Sequence, residues 1–487
     1  MNFRSTRGLE YGVDSTRAII NGISKDGGLY VPDSFPNIYK LLRNKKEFSY
    51  EELAFEIIRE YFTDIHDKEL IEAINEAYND RFQIKVHNNF LELYHGPTCA
   101  FKDAALLFLP QIMKRAKKVC NKKEEIVILA ATSGDTGKAA LEGFKDIEGF
   151  KVVVYYPKKG VSAIQERQMI TQKGDNVKVI GINGNFDDAQ RFVKQMFGDN
   201  DFKEELLKQG FLLSSANSIN IGRLVPQIVY YFYGYFNLVI KGVIKQGDKI
   251  NVVVPTGNFG NILASYYAKQ MGLPIDKFIC ASNENKVLTD FFNSGIYDKR
   301  RELVLTESPS MDILVSSNLE RLLFEASGRN PEIIKDLMNS LSENGVYEIN
   351  DEMKKFMKEF YGGYATTEEV HDAIREVYEK DNYLMDTHTA VGYVVKKKYQ
   401  LETNDTKEVL IASTASPFKF PRSICEALKI PNDKIDDFEV LKKLSEITKN
   451  NIPDGLANLS QYQIIHNEVC DRSEMKKILL SYLGIEG

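Results

Sequence analysis

No CxxC pair occurs in this sequence. Its five cysteines (Cys99, Cys120, Cys280, Cys425 and Cys470) are scattered and odd in number, which fits reduced thiols in a cytosol better than a disulfide framework or a zinc site. An excess of basic charge is missing as well. The formal net charge is -6, so no global attraction to nucleic acid is expected, and an anionic ligand must be met by particular residues. A membrane span is also lacking. The uncharged stretch between Arg223 and Lys241 holds the apolar run VYYFYGYFNLVI, but Pro226, Gln227, Gly234, Asn237 and four tyrosines interrupt it, and it falls short of about 20 apolar residues. It reads as a buried helix or a subunit-contact helix. The opening MNFRSTRGLEYG has no apolar core after its basic residues, which predicts no secretory signal. The expectation is a soluble, cytoplasmic protein, monomer or homodimer, with no nucleic-acid or membrane partner and no metal.

What is present is the texture of a layered α/β protein. The 487 residues are 43% hydrophobic and 27% charged, enough for two packed domains. Early on, Ser49 with Glu52 makes a capping-box signature before Leu53, Ile57 and Tyr61 at helical spacing, so this part reads helical. From about residue 125 short apolar runs (IVILAAT, KVVVYYP, VKVIGI, GFLLSSAN, INVVVPTG, KFICASN, EVLIAST) alternate with helical stretches. Continuous Val/Ile/Leu runs of this kind predict parallel strands buried on both faces. Between about 284 and 380 charged helical stretches take over, predicting a helical insertion.

Two turns at predicted strand ends carry small residues. Ser133-Gly134-Asp135-Thr136-Gly137 leads into KAALEGF, and Gly257-Asn258-Phe259-Gly260-Asn261 follows INVVVPT. A helix N-terminus offers free N–H groups to an anion, although each residue type is also an ordinary turn or cap former. The first is not a nucleotide P-loop, because Thr132 stands where a glycine is required and Ala139 where Ser or Thr should follow Lys138. The second lacks GxGxxG spacing. Lys102 lies among Cys99, Ala100, Phe101, Ala104, Ala105 and Leu106. Desolvation there would lower its pKa, as a Schiff-base lysine needs; by itself, however, it reads first as a surface lysine at a helix start paired with Asp103.

PTCAFKDAA, ATSGDTG, PTGNFGN and SANSINIGR, with STRG, YYPKKGVSAIQERQM and PSMDILVSSNLERL, together resemble the threonine synthase family of fold type II pyridoxal-phosphate enzymes. The resemblance spans nearly the whole chain. It implies an α/β fold of the tryptophan synthase β type: two open, mostly parallel α/β domains with an N-terminal helical extension. The corresponding division is an N-terminal domain (1–85), a smaller α/β domain (86–240) and a larger one (241–487). It further implies that Lys102 binds pyridoxal 5'-phosphate as a Schiff base and moves protons. Asp135 would lie near the cofactor's 3′-oxygen, Gly257, Asn258, Phe259, Gly260 and Asn261 would cradle its phosphate, and Thr414 would face its ring nitrogen. Ser133 and Thr136 would hold the substrate carboxylate; Ser218, Asn220 and Arg223 would hold the substrate phosphate. Lys158, Lys159 and Ser162 could add to that site, and His388 could line it. Many relatives read TAHPAKF where this chain has Ser416 and Phe418.

The implied reaction converts O-phospho-L-homoserine and water to L-threonine and phosphate, a lyase reaction by γ-elimination and β-addition of water. The rivals are a phospho-lyase releasing 2-ketobutyrate, a serine/threonine dehydratase, and a catalytically silent regulatory homologue.

Overall fold

The computed structural model describes residues 1–45, 48–132, 134–158 and 161–485. Two sheets position everything that follows. The larger runs Phe360–Tyr364, Ile275–Ser282, Ile250–Pro255, Val409–Ser413, Phe90–His95, Gln83–His87, and only its last pair is antiparallel. The smaller is wholly parallel, in the order Val469–Cys470, Val177–Ile182, Phe150–Pro157, Glu125–Ala131, Phe211–Ser214. Each of the short apolar runs named from residue 125 onward contains a strand. Ile250–Pro255 is buried at all its positions, which is why no alternation appears in its sequence.

Sheet membership differs from the contiguous division expected. Gln83–His87 and Phe90–His95 belong to the larger sheet, and Val469–Cys470 returns to complete the smaller one. The region 284–380 is also less purely helical than expected. It holds a two-stranded ribbon, Ile296–Asp298 with Val346–Glu348, and the edge strand Phe360–Tyr364. That strand reads FYGGY, and it lacks the Val/Ile/Leu run that marks a strand in sequence.

The capping box at Ser49 and Glu52 forms, opening the helix Tyr50–Ile58. The N-terminal part also contains a three-stranded antiparallel sheet, Val13–Asp14, Asn2–Ser5 and Tyr30–Pro32. The Tyr-rich helix Ile221–Ile240 is core: it packs on Tyr50–Ile58 and on the helix Gly260–Gln270. Three of its tyrosines are buried with their hydroxyls engaged. Tyr230 donates to Gln227 at 3.0 Å, Tyr231 to Asn261, and Tyr235 to the Asp248 carbonyl at 3.0 Å. Among the described residues no helix is long and apolar enough to cross a membrane.

Candidate active site

The carboxyl ends of the parallel strands, where open α/β sheets bind ligands, lead directly into the expected segments. Phe90–His95 runs into the loop that carries Lys102. Gly96 is required there, because a Cβ would lie 2.4 Å from Asp103 Oδ2. Asp103 is fully buried and accepts from the Thr98 backbone N–H at 2.9 Å and from the Thr98 hydroxyl at 2.6 Å. It is thus occupied with its own loop and does not pair with Lys102. Phe101 N–H donates to the Thr414 carbonyl at 2.8 Å, and Ser416 N–H to the Cys99 carbonyl at 3.0 Å. This short antiparallel bridge brings Lys102 and Thr414 together.

Lys102 opens the helix Lys102–Leu106, with its side chain only 11% exposed. Its Nζ donates to Ser310 Oγ at 3.2 Å and lies 3.5 Å from Asp135 Oδ2. Burial lowers the Lys102 pKa; Asp135 opposes this, and the charges of Lys419 and Arg223 add to the lowering. Burial works on Asp135 in the other direction, yet Lys419 and Lys102 hold its carboxyl well below the usual carboxylate range. Asp135 Oδ1 lies 2.6 Å from Lys419 Nζ and accepts from Gln165 Nε2 at 2.9 Å. Ser310 is fixed from behind: its N–H donates to His388 Nε2 at 3.2 Å, so Nδ1 carries the imidazole proton and donates to Asp386 at 2.9 Å.

At the turn 257–261, Phe259 is left-handed (φ 64) and caps the helix Gly260–Gln270. Its ring packs against Phe292 and Phe360, so only its backbone faces the turn. Gly257 is required, because a Cβ would meet the Ser310 carbonyl at 2.5 Å. Among the described residues none of the N–H groups of Gly257, Asn258 and Phe259 has a partner, and those of Gly260 and Asn261 lie in the open first turn of a helix. Asn318 braces the turn, donating from its N–H and side chain to the Asn258 carbonyl at 3.1 and 2.9 Å.

The segment expected to hold a second anion follows Phe211–Ser214. Arg223 is 3% exposed. Its Nη1 donates to the Ala216 carbonyl at 2.7 Å, while its buried Nε has no partner. Burial pushes its pKa down to about 10, and no carboxylate offsets that. An arginine so placed carries an uncompensated charge that an anion would satisfy. Ser218 is half-buried, its hydroxyl accepting from Asn318 Nδ2 at 3.4 Å.

Several expectations need correction. Asn220, expected to reach the substrate, is committed to backbone: Oδ1 caps the helix through Gly222 N–H at 2.9 Å, and Nδ2 donates to the Ile19 carbonyl at 2.9 Å. Lys158 pairs with Glu166 at 2.5 Å, and Ser162 caps the helix Ala163–Ile170. Ser133 and Lys159 lie outside the described residues. Thr136 is half-buried beside Asp135, and Thr414 is 5% exposed at the end of its strand. Ser416 caps the turn Pro417–Lys419, accepting from Phe418 N–H at 3.3 Å. Sequence reading assigns no role to Ser310, Lys419, Gln165 and Asn318, although Gln165 lies in YYPKKGVSAIQERQM and Ser310 and Asn318 in PSMDILVSSNLERL. An open cavity of about 780 Å³ lies behind the Lys102 loop, lined by Arg81, His87, Glu92, His95, Tyr383 and Asn451 among others. None of the expected residues lines it.

The chain is similar to known proteins over most of its length. The chain matches the family described as "Threonine synthase N terminus" over residues 2–78, "Pyridoxal-phosphate dependent enzyme" over 90–415, and "Threonine synthase, C-terminal" over 389–462. It is 36% identical to threonine synthase of Schizosaccharomyces pombe, covering 91% of this chain and 92% of that protein. Threonine synthase-like 1 of Homo sapiens is 40% identical over 85% of this chain, which spans 58% of that protein's length. The crystal structure of PLP-bound threonine synthase from Brucella melitensis superposes with a TM-score of 0.85 at 34% identity, covering 99% of this chain and 98% of that one. The site suits the cofactor named in these matches. A buried lysine with a lowered pKa suits an aldehyde, open N–H groups at 257–261 suit a phosphate, and the buried Asn261 Nδ2 there has no partner.

Proposed function

The chain belongs to the threonine synthase family, and on that premise we propose that it converts O-phospho-L-homoserine and water to L-threonine and phosphate. Its cofactor is pyridoxal 5'-phosphate, which when bound supplies an electron sink for the carbanion formed beside the amino group. Lys102 would hold it, with Gly257, Asn258, Phe259, Gly260 and Asn261 around its phosphate and Thr414 at its ring nitrogen. A hydroxyl at that nitrogen leaves the ring unprotonated, unlike a carboxylate. The Lys102 amine, lowered in pKa, is the base for the substrate α-proton. Asp135 stays ionised and orients the groups around Lys102. The N–H groups of Gly134 and Gly137 donate to the Thr132 hydroxyl, each at 2.9 Å, so the Thr136 hydroxyl and the N–H groups of Asp135 and Thr136 would receive the substrate carboxylate.

Arg223 carries this reading. It is a buried arginine with a free Nε and no acidic partner, and its charge reaches Lys102. A dehydratase acting on serine has no use for such a group; a phosphorylated substrate does. Ser218 would add a hydrogen bond, and Asn220 would act by fixing the helix that presents Arg223. We place the reaction in the cytoplasm, where five free cysteines stay reduced. The 1–85 segment is proposed as a bracing domain, with the two sheets forming the smaller and larger α/β units.

Incubation of the cofactor-loaded protein with O-phosphohomoserine should release threonine and phosphate in equal amounts; 2-ketobutyrate without threonine would instead identify a phospho-lyase. Arg223→Met should leave the visible cofactor absorbance in place and raise KM at least tenfold, a loss of about 1.4 kcal/mol or more. An unchanged KM would remove Arg223 from the phosphate site.

A further inference from the structure

Asp135 faces two lysines, and the reaction proposed above uses one. Lys419 is 0% exposed, lies 2.6 Å from Asp135 Oδ1 and donates to the Thr98 carbonyl at 2.9 Å. Thr98 lies on the loop that ends in Lys102, and Asp135 opens the helix Asp135–Phe144 of the smaller sheet. Lys419 therefore ties the Lys102 loop to the turn opposite it. Lys102 is the looser partner, 3.5 Å from Asp135 Oδ2, and among the described residues its hydrogen-bond acceptor is the Ser310 hydroxyl at 3.2 Å.

We infer that Lys419 is a positioning residue that occupies Asp135 and so keeps Lys102 a neutral amine. One carboxylate can offset one buried ammonium. Lys419 has the shorter contact and a second acceptor, so the proton given up more readily is the one on Lys102. A protonated amine has no lone pair to offer an aldehyde carbon; a neutral one does. The charged groups that face Lys102 agree with this. Lys419 and Arg223 both favour loss of its proton, and only Asp135 opposes it. Asp103 beside it is engaged by Thr98, and Lys138 nearby is paired with Glu142 at 3.2 Å. This inference rests on Lys102 being the cofactor lysine.

The test uses cofactor-free protein and no substrate. Acetic anhydride labelling of Lys102 is followed against pH by peptide mass spectrometry; Lys419, fully buried, is shielded. Replacing Lys419 by Met removes a repelling charge and returns Asp135 to Lys102. The Lys102 inflection should move up by about one unit, roughly a tenfold drop in labelling at a fixed pH below it. Lys419→Arg should stay near wild type. An inflection in Lys419→Met at or below the wild-type position would overturn the inference. Should that variant fail to fold, Asp135→Asn is compared with Asp135→Asn/Lys419→Met. Removing Lys419 should again raise the inflection, and no change would overturn the inference. Failure of the underlying reading is separate: Lys102→Ala would then keep the visible absorbance of the cofactor-loaded protein.

Discussion

Burial acts on Lys102 and Asp103 in opposite directions because it disfavours the charged form of each. The amine goes down, and the carboxyl is raised to about 6, mainly by burial and against the help of the two Thr98 hydrogen bonds. A carboxyl that holds its proton more tightly folded than unfolded contributes stability at low pH and loses it as pH rises through the folded value. The window runs from about 4 to about 6, and the loss amounts to about 3 kcal/mol for a shift of roughly two units. Asp103→Asn keeps an acceptor for the Thr98 N–H and a group for its hydroxyl, but nothing that titrates. Urea midpoints measured across that window should therefore fall in the wild type relative to the variant. Parallel curves would mean that Asp103 is ionised throughout. Neither residue's state is legible from the sequence: the pair reads as adjacent opposite charges, and only the Gly96–Thr98 loop turns Asp103 away from Lys102.

At the scale of elements, the strands that were legible are those buried on both faces, since Ile250–Pro255 and its neighbours announce themselves as unbroken apolar runs. Gln83–His87 alternates between exposed and buried positions, and Phe360–Tyr364 is an edge strand built on two glycines, so neither gives that signal. The turns were legible as turns. Their working parts were less so, because Asn220 and Asn261 look like ligand donors in sequence, while the fold spends Asn220 on a helix cap and ties Asn261 Oδ1 to Tyr231. Gly257 is where the two readings meet: sequence suggests close backbone approach, and the structure identifies the neighbour as the Ser310 carbonyl. Gly257→Ala must push that segment away, displacing both the N–H groups at 257–261 and the Ser310 hydroxyl beside Lys102. Cofactor affinity, titrated by visible absorbance, should fall by one to two orders of magnitude, about 1.4–2.8 kcal/mol. An affinity within twofold of wild type would show that the turn can move without harm.

Across the whole molecule, the order of motifs was legible but their meeting was not, since pairings over hundreds of residues leave no local pattern. The N-terminal STRG segment closes on the helix Leu319–Ala326: Thr6 donates to Glu320 at 2.6 Å, and Arg7 at 3.0 and 2.8 Å. The next residue, Arg321, is fully buried and donates to the Tyr30 carbonyl at 2.9 Å, to the Ile219 carbonyl at 2.6 Å and to Asn318. Asn318 in turn holds the turn at 257–261, and Ile219 belongs to the segment that presents Arg223. The N-terminal sheet thus braces both proposed anion sites through one helix. Glu320 is the joint, 5% exposed with three donors on its carboxylate. Glu320→Ala leaves Arg7 and the buried Thr6 hydroxyl without their acceptor. It should lower the stability of the first unfolding step by about 3 kcal/mol, and weaken cofactor binding in the same variant although Glu320 touches neither anion site. An early loss of the N-terminal unit in denaturant, with cofactor affinity unchanged, would instead mean that the two anion sites stand without this brace.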